Sequence, residues 1–441
     1  MKRLNKVFLM TSAFLMASTP MVQAQTMSLS DCIQYALQHS TTVQQQQLSV
    51  RNQKLQLNTS RWSRLPDLSA SVSTGWSFGR TTSAESNGYE SVNSMGTSFG
   101  ISASMPVFTG FRITNQIRSD RYTLQATTAN LDKARKDIGI QVATYYLNAL
   151  YYRGLTDVQR QQVGLDSVAA INARALFDAG KKPESEVAAA EAQLAVSRHS
   201  LVEAMGNETL ARLDLMQALN LEGSVEQFAV QNVDTSLLSQ DIRPADLIFA
   251  DAQDRYPTIL AARCQLESSK YNLKVTKSSY MPSLYLSASY STSYQYLYNS
   301  QYTLPSFADQ FRNYGSKYVG LSLSIPIFNR FATRNSVRQA RLSIENQNIA
   351  LTEAQQSLYK EVQQAYWNAV KARDNYASAR QTSASTRLSY QYQADRYAAG
   401  KGTAYDLQQA SNQHQKSLQD ELQARYEFLM RLKILDFYCM P

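Results

Sequence analysis

The chain has 441 residues, with 44 Lys and Arg against 35 Asp and Glu for a formal net charge of +9, three histidines and three cysteines. This length suffices for several ordinary domains, and the basic residues lie singly rather than in runs, which excludes a nucleic-acid-binding tract. Cys32, Cys264 and Cys439 are odd in number and far apart, so they exclude a paired disulfide framework and read as small apolar residues on helix faces.

The first segment is a predicted secretory signal peptide, residues 1–24. Lys2, Arg3 and Lys6 form a basic start, Val7 to Met16 is largely apolar, and Val22-Gln23-Ala24 is a small-residue cleavage site. Removing 24 residues from 441 leaves 417, and loss of three basic residues lowers the net charge from +9 to +6. No later segment carries a charge-free apolar run near 18 residues, so no transmembrane helix is expected.

An amphipathic helix is predicted over about residues 29–64, followed by a strand pair over 68–108. Leu68, Ala70, Val72, Thr74, Trp76 and Phe78 alternate with Ser69, Ser71, Ser73, Gly75, Ser77 and Gly79. In the partner strand Phe99, Ile101, Ala103, Met105 and Val107 alternate with Ser98, Gly100, Ser102 and Ser104. A period of two with one apolar face is the signature of a half-buried strand. Strands of about 10–12 residues match what a tilted strand needs to cross a bilayer. The polar face is small and uncharged, which suits a wet lumen. Trp76 and Phe78 lie at one end and Phe108 and Phe111 at the other, as interfacial aromatics do. A soluble sandwich would bury the same face, but four strands tethered to very long helices do not make one.

A long helix is predicted over 112–179, free of proline, then a returning helix over 184–220. About 70 residues at 1.5 Å each reach about 105 Å. Its seam Ile117, Leu124, Leu131, Ile138, Tyr145, Tyr152 repeats every seven residues, the coiled-coil pattern. The turn between the helices carries Gly180 and Lys181, suited to a helix stop, and Pro183, suited to a helix start. A less regular segment, 223–245, leads to a second amphipathic helix over about 246–279 and a second strand pair over 284–328. Phe328 and Phe331 mark the end of that pair. A second long helix over 331–399 contains neither proline nor glycine. Its turn holds Tyr397, Gly400, Gly402 and Thr403, with Thr403 and Asp406 spaced as a capping box, and the last helix runs over 403–438.

The chain therefore repeats itself, with 25–222 and 246–441 as two structural repeats. An offset of 220 takes Ser104-Met105-Pro106-Val107-Phe108 to Ser324-Ile325-Pro326-Ile327-Phe328 and Phe177-Asp178-Ala179-Gly180 to Tyr397-Ala398-Ala399-Gly400. It also takes the heptad seam to Val337, Ile344, Leu351, Leu358, Ala365 and Ala372. From Leu65-Pro66 to Met281-Pro282 the offset is 216, so the second hairpin segment is longer by four residues. Repeats of this size are whole structural units.

These features together resemble the TolC-like family of outer-membrane efflux and export ducts. The carriers are the strand ends Ser104–Phe108 and Ser324–Phe328, the tip Tyr397-x-x-Gly400-x-x-Thr403-x-x-Asp406-Leu407-x-x-Ala410, and the opening Leu29-Ser30-Asp31-Cys32-Ile33-Gln34-Tyr35-Ala36-Leu37. The resemblance implies a mainly α fold with membrane β: a homotrimer whose four strands per chain contribute to a 12-stranded barrel in the outer membrane, continued by a long α-helical coiled-coil barrel in the periplasm. It implies an outer-membrane duct that passively conducts substrate delivered by a periplasmic adaptor protein and an inner-membrane transporter, with outer-membrane lipid around the barrel. The residues alone require pooling of strands, because four are fewer than the roughly eight of the smallest membrane barrels and an open edge in lipid leaves backbone groups unpaired. Two, three or four chains would satisfy that; three is the family's number.

The resemblance also assigns the tips. Gly180, Lys181, Pro183, Tyr397, Gly400, Gly402 and Thr403 fall on the turns that would dock an adaptor. The family's periplasmic end narrows to an acidic ring; Asp406 falls on one of its positions, Gln409 on the second, and Glu186 is the first repeat's counterpart of Asp406. The family's constricting arginine falls on Gly402, so that latch is absent here. Asp406 also reads simply as a helix cap with Thr403. No enzymatic reading, cofactor or metal is expected. His39, His199 and His414 lie in polar helical contexts without ligand spacing, and no phosphate loop or nucleophile elbow is present. A periplasmic coiled-coil adaptor and a general diffusion porin are the alternatives. The first would lack membrane-length strands, and the second has no use for about 105 Å of helix.

Overall fold

The computed structural model describes residues 25–82, 89–91, 93–233, 238, 241–298 and 304–439. The predicted signal peptide lies outside the described residues. In chain order the elements are β1 (Gln25–Met27), α1 (Leu29–His39), α2 (Thr41–Trp62), β2 (Asp67–Ser77), β3 (Arg80–Thr82), β4 (Tyr89–Ser91), β5 (Ser94–Thr109), α3 (Arg112–Asp178), α4 (Glu184–Leu219), β6 (Phe228–Val230), α5 (Ala245–Gln253), α6 (Pro257–Lys277), β7 (Ser283–Leu297), α7 (Phe307–Asn313), β8 (Ser316–Ser324), α8 (Ala332–Ala398) and α9 (Ala404–Cys439). The duplication is visible in lengths: α3 and α8 each have 67 residues, and α4 and α9 each have 36.

Three elements differ from their expected extents. The helix expected over 29–64 is two helices, because Ser40 is extended at φ −61° and ψ 125°. The Asn220 side chain donates to the carbonyl of His39 at 3.0 Å, so a tertiary contact takes a group that a continuing helix would use. The helix expected over 246–279 is broken before Pro257, whose ring occupies the first position of α6. The second strand pair ends at Ser324 rather than 328, since β7 begins at Ser283, opposite Ser324, and offers nothing to pair with Ile325–Phe328. In the first repeat β5 reaches Thr109 through a bulge at Pro106–Phe108, which accommodates a proline without a ladder N–H.

The segment expected as an irregular joint, 223–245, contributes β6, which pairs in parallel with β1. It contributes the first residue of α5 as well.

The chain divides into two compact units that cut across the repeats. One comprises the described residues of 25–40, 138–240 and 371–433. Its core joins Cys32 and Ala36 of α1 to Val142, Tyr146, Leu147 and Leu150 of α3, Leu215 and Leu219 of α4, Phe228 and Val230 of β6, and Leu429 of α9. The buried Tyr146 hydroxyl is shared between the carbonyls of Met27 and Gln231, at 3.0 and 2.7 Å. This ties the short β1–β6 sheet to α3. Burial, first, and nearby Asp31 push the Cys32 thiol up to about 12.

The other unit comprises the described residues of 41–137, 241–370 and 434–439. Ile248, Tyr256 and Ile259 pack there on Leu358, Val362, Ala365 and Ala369 of α8, and Leu57 of α2 packs on Ile113 and Ile117 of α3. Five expected seam residues, Ile117, Leu131, Val337, Leu358 and Ala365, are buried in this unit. This unit also holds a four-stranded antiparallel sheet of order β2-β5-β7-β8, built from one hairpin of each repeat.

Candidate functional site

Two regions carry the expected functional residues, the helix-connecting tips in the first unit and the sheet in the second. Each tip is a Schellman ending. Gly180 has φ +68° and Gly400 φ +71°, a left-handed conformation that glycine adopts without a Cβ penalty. The amides of Gly180 and Lys181 donate to Phe177 and Leu176, and those of Gly400 and Lys401 donate to Tyr397 and Arg396. Pro183 then opens α4 without a side-chain cap. Gly402 is confined for another reason: a Cβ there would come within 3.2 Å of the Tyr397 amide nitrogen.

The tip carboxylates have different partners. Asp406 closes its own cap: its amide donates to the Thr403 hydroxyl at 3.1 Å, and that hydroxyl donates to the Asp406 carboxylate at 2.8 Å. Gln409, one turn on, is exposed. Glu186 instead accepts from Lys182 at 2.8 and 3.1 Å. The same ammonium lies 3.5 Å from the Tyr397 hydroxyl and 5.2 Å from the centre of its ring. Glu186, chiefly, then Tyr397, raise the Lys182 pKa above the ordinary lysine value against a desolvation penalty. Lys182 therefore joins the tips of the two repeats within one chain. It is absent from the expected set, although its i, i+4 spacing to Glu186 was legible.

The sheet separates two faces. Across the strands run the rows Leu68–Ala103–Ala288–Val319 and Ala70–Ile101–Tyr290–Lys317. On the opposite face lie Ser69–Ser102–Ser289–Tyr318, between these two rows, and Ser71–Gly100–Ser291–Ser316, just beyond them. The Ser69 and Ser102 hydroxyls are 2.9 Å apart. The apolar face is open to the surroundings: Val72 is 67% exposed, and Leu68, Leu321 and Leu323 are exposed to a similar degree. Among the described residues β2 and β8 are the unpaired edges of the sheet, and three successive antiparallel pairings make them run in opposite directions.

Trp76 and Phe78 are exposed at the end of the sheet remote from α3 and α8. At the other end Phe108 meets Phe111 edge to face at 5.4 Å, and Phe328 meets Phe331 at the same distance. Both pairs form because the strand-to-helix turn takes two successive left-handed residues, Gly110 and Phe111 at φ +60° and +65°, Arg330 and Phe331 at +54° and +60°. A Cβ on Gly110 would fall 2.6 Å from that of Met281, so only glycine fits.

Helix α7 went unanticipated. Its signals are short: Pro305, the cap Ser306 three residues before Asp309, and Phe307 and Phe311 one turn apart. β8 pairs with β7 only as far as Ser291, so β7 runs past its neighbour from Thr292 onward. There the buried Gln310 amide takes the place of a strand, accepting from the Gln295 amide at 2.8 Å and donating to the Gln295 carbonyl at 3.0 Å. Thr292 donates to the Phe311 carbonyl at 2.9 Å. Phe311 and Phe307 pack edge-on to Phe99 at 5.5 and 6.2 Å.

Among the described residues no helix is long and apolar enough to cross a membrane, and no cluster of His, Cys, Asp or Glu is arranged to hold a metal ion.

Comparison with known proteins places these features in context. The family model described as outer membrane efflux protein matches twice, over residues 32–221 and 248–437. Protein CyaE of Bordetella pertussis is 26% identical over 306 residues, covering 66% of this chain and 60% of CyaE. The outer membrane efflux protein BepC of Brucella suis is 22% identical over 314 residues, covering 71% of this chain and 65% of BepC. The match thus spans under two thirds of the length of these relatives. Among solved structures, that of CusC, described in terms of folding and transmembrane channel formation, superposes with a TM-score of 0.79 at 18% identity, covering 93% of this chain and 91% of CusC. The fold is accordingly that of the TolC-like channels.

Proposed function

This chain belongs to the outer membrane efflux protein family, and on that premise we propose that it is the outer-membrane duct of a multi-part efflux or type I secretion system. Three copies close a 12-stranded barrel in the outer membrane, and their long helices form a tunnel in the periplasm. Residues 1–24 direct export and are removed. Substrate passes without chemistry at this protein. A periplasmic adaptor docks at the tip turns around Gly180, Lys181, Pro183, Gly400 and Thr403, and an inner-membrane transporter supplies the energy. We assign the chain no enzymatic role. Asp406, with Glu186 beside it in the repeat pattern, lines the periplasmic aperture.

One observation carries this reading, the four-stranded sheet with two free, oppositely directed edges and an exposed apolar face. In lipid every unpaired strand edge leaves backbone groups unsatisfied. Joining β8 of one copy to β2 of the next keeps the antiparallel alternation and leaves no edge once the ring closes. The apolar face then meets lipid and the serine face lines the lumen. The test is the mass of the mature protein in detergent, together with conductance in a planar bilayer. A trimer with stepwise conductance is expected; a stable monomer soluble without detergent refutes the duct and favours an adaptor.

A further inference from the structure

The apolar face of the sheet changes character along its length. Near the helices its rows are apolar, Phe108–Leu284–Leu323, Met105–Leu286–Leu321 and Leu68–Ala103–Ala288–Val319. Beyond the row Ala70–Ile101–Tyr290–Lys317 they carry Val72, Phe99 and Thr292, then Thr74, Thr97 and Tyr294, then Trp76, Met95 and Tyr296. Thr, Tyr, Trp and Lys are the side chains of a membrane–water interface, apolar in body and polar at the tip. Lys317 is the one charged residue on this face among the described residues of the four strands.

Lys317 stands where an interfacial cation belongs. Six residues separate it from Leu323, about 20 Å along the strand. Exposed Ile325 and Ile327 continue the apolar side toward the helices. At the usual tilt this brings Lys317 to the far margin of an apolar band of about 25 Å. Tyr290 faces it across the ladder, and its hydroxyl lies over Gly315, where a Cβ would be 2.7 Å away. Lys317 is exposed, as is Arg312 in the last turn of α7, and no carboxylate pairs with either among the described residues. The nearby Asp309 accepts from the Ser306 hydroxyl at 2.6 Å within its own cap. On the helix that carries Arg312, α7 presents Phe307 and Phe311, packed against Phe99 and Tyr294 and still 51% and 38% exposed.

We propose that Lys317 and Arg312, with the aromatic shelf of α7, form a binding site for the phosphate of an anionic membrane lipid, whose acyl chains lie along Phe307, Phe311 and the apolar rows below. Two exposed cations without counter-ions among the described residues, at the edge of an apolar surface, complement a phosphate joined to hydrocarbon. Neutral lipid would satisfy the aromatic shelf and leave both cations without a partner. The anchoring of α7 through Gln310 holds the shelf fixed relative to Lys317, so the site is preformed. This inference rests on the membrane reading above and adds a lipid preference to it.

The test is native mass spectrometry of the full-length mature protein in detergent, offered phosphatidylglycerol and phosphatidylcholine of identical acyl chains in equal amounts. The wild type is expected to retain phosphatidylglycerol at least fivefold over phosphatidylcholine. Lys317→Gln should bring that ratio near one, and Lys317→Arg should preserve it. Equal retention of the two lipids by the wild type, or an unchanged ratio in Lys317→Gln, overturns the lipid site. Insertion into phosphatidylcholine vesicles is measured in parallel. A protein that inserts but shows no lipid preference refutes only the site, whereas one that fails to insert refutes the membrane reading and the site with it.

Discussion

Replacing Val72 by arginine tests which face of the sheet meets lipid. Val72 is the sixth of eleven residues in β2, so about 17 Å of strand lies on either side. At a tilt of about 40° that is about 13 Å along the membrane normal, and Val72, one row beyond that of Lys317, lies in the outer part of the apolar band rather than at its middle. An arginine on the lipid face costs about 2–4 kcal/mol at the midplane and about 0–1 kcal/mol near the interface, so about 1–2 kcal/mol applies at this depth. Each copy then disfavours insertion by roughly 5- to 30-fold, at 1.4 kcal/mol per factor of ten, and the penalty repeats in every copy that closes the ring. Ser71, one residue away, faces the opposite side in the row with Gly100. Ser71→Arg places its charge in water and should assemble with a narrower pore. The assay is the oligomer fraction in detergent after refolding into phosphatidylcholine vesicles, followed by single-channel conductance. Val72→Arg is expected to lose the oligomer, and Ser71→Arg to keep it with reduced conductance. Equal assembly of the two variants, or the reverse order, refutes the face assignment.

At the tip, Asp406→Asn keeps an acceptor for the Thr403 hydroxyl and removes the charge. Cation selectivity and block by trivalent cations should fall in bilayer recordings while the oligomer persists; unchanged selectivity leaves Asp406 as a helix cap alone. Gly110→Ala and Gly180→Ala should differ in thermal stability. Both accept a left-handed backbone penalty of about 1–2 kcal/mol, but Gly180 opens onto free space whereas Gly110 abuts Met281, so Gly110→Ala melts lower. Burial, and to a lesser degree Arg387, lower the His414 pKa below 6.5, where it stacks on Tyr390. Below about pH 6.5 the unfolded state takes a proton that the folded state refuses, so stability falls as pH falls through that value toward the depressed folded one. Denaturant melts from pH 7.5 to 5 should show a shallower loss in His414→Gln; identical pH slopes would remove His414 from the account.

The duplication, the two helix-stop glycines and the alternating strands were legible because each depends on neighbours in sequence. Gly180 and Gly400 need only a helix that must end, and the faces of Leu68–Ser77 follow from a period of two. The sheet's order was not legible. That β5 of the first repeat pairs with β7 of the second depends on two hairpins meeting far from each other in sequence, and alternation says nothing about which strand lies beside which. The break at Ser40 had no local sign, because it is made by Asn220, and Gly110 is required by Met281 rather than by its own turn alone. Asp406 shows both kinds of information at one position: its spacing to Thr403 already spelled a cap. Lys182 needed the tertiary structure. Its spacing to Glu186 was written in the chain, but its position against Tyr397, 215 residues away, exists only once α3 and α8 end side by side within the same compact unit. The same holds for α7, whose Gln310 becomes a substitute strand only where β8 stops short and leaves β7 with unpaired backbone groups.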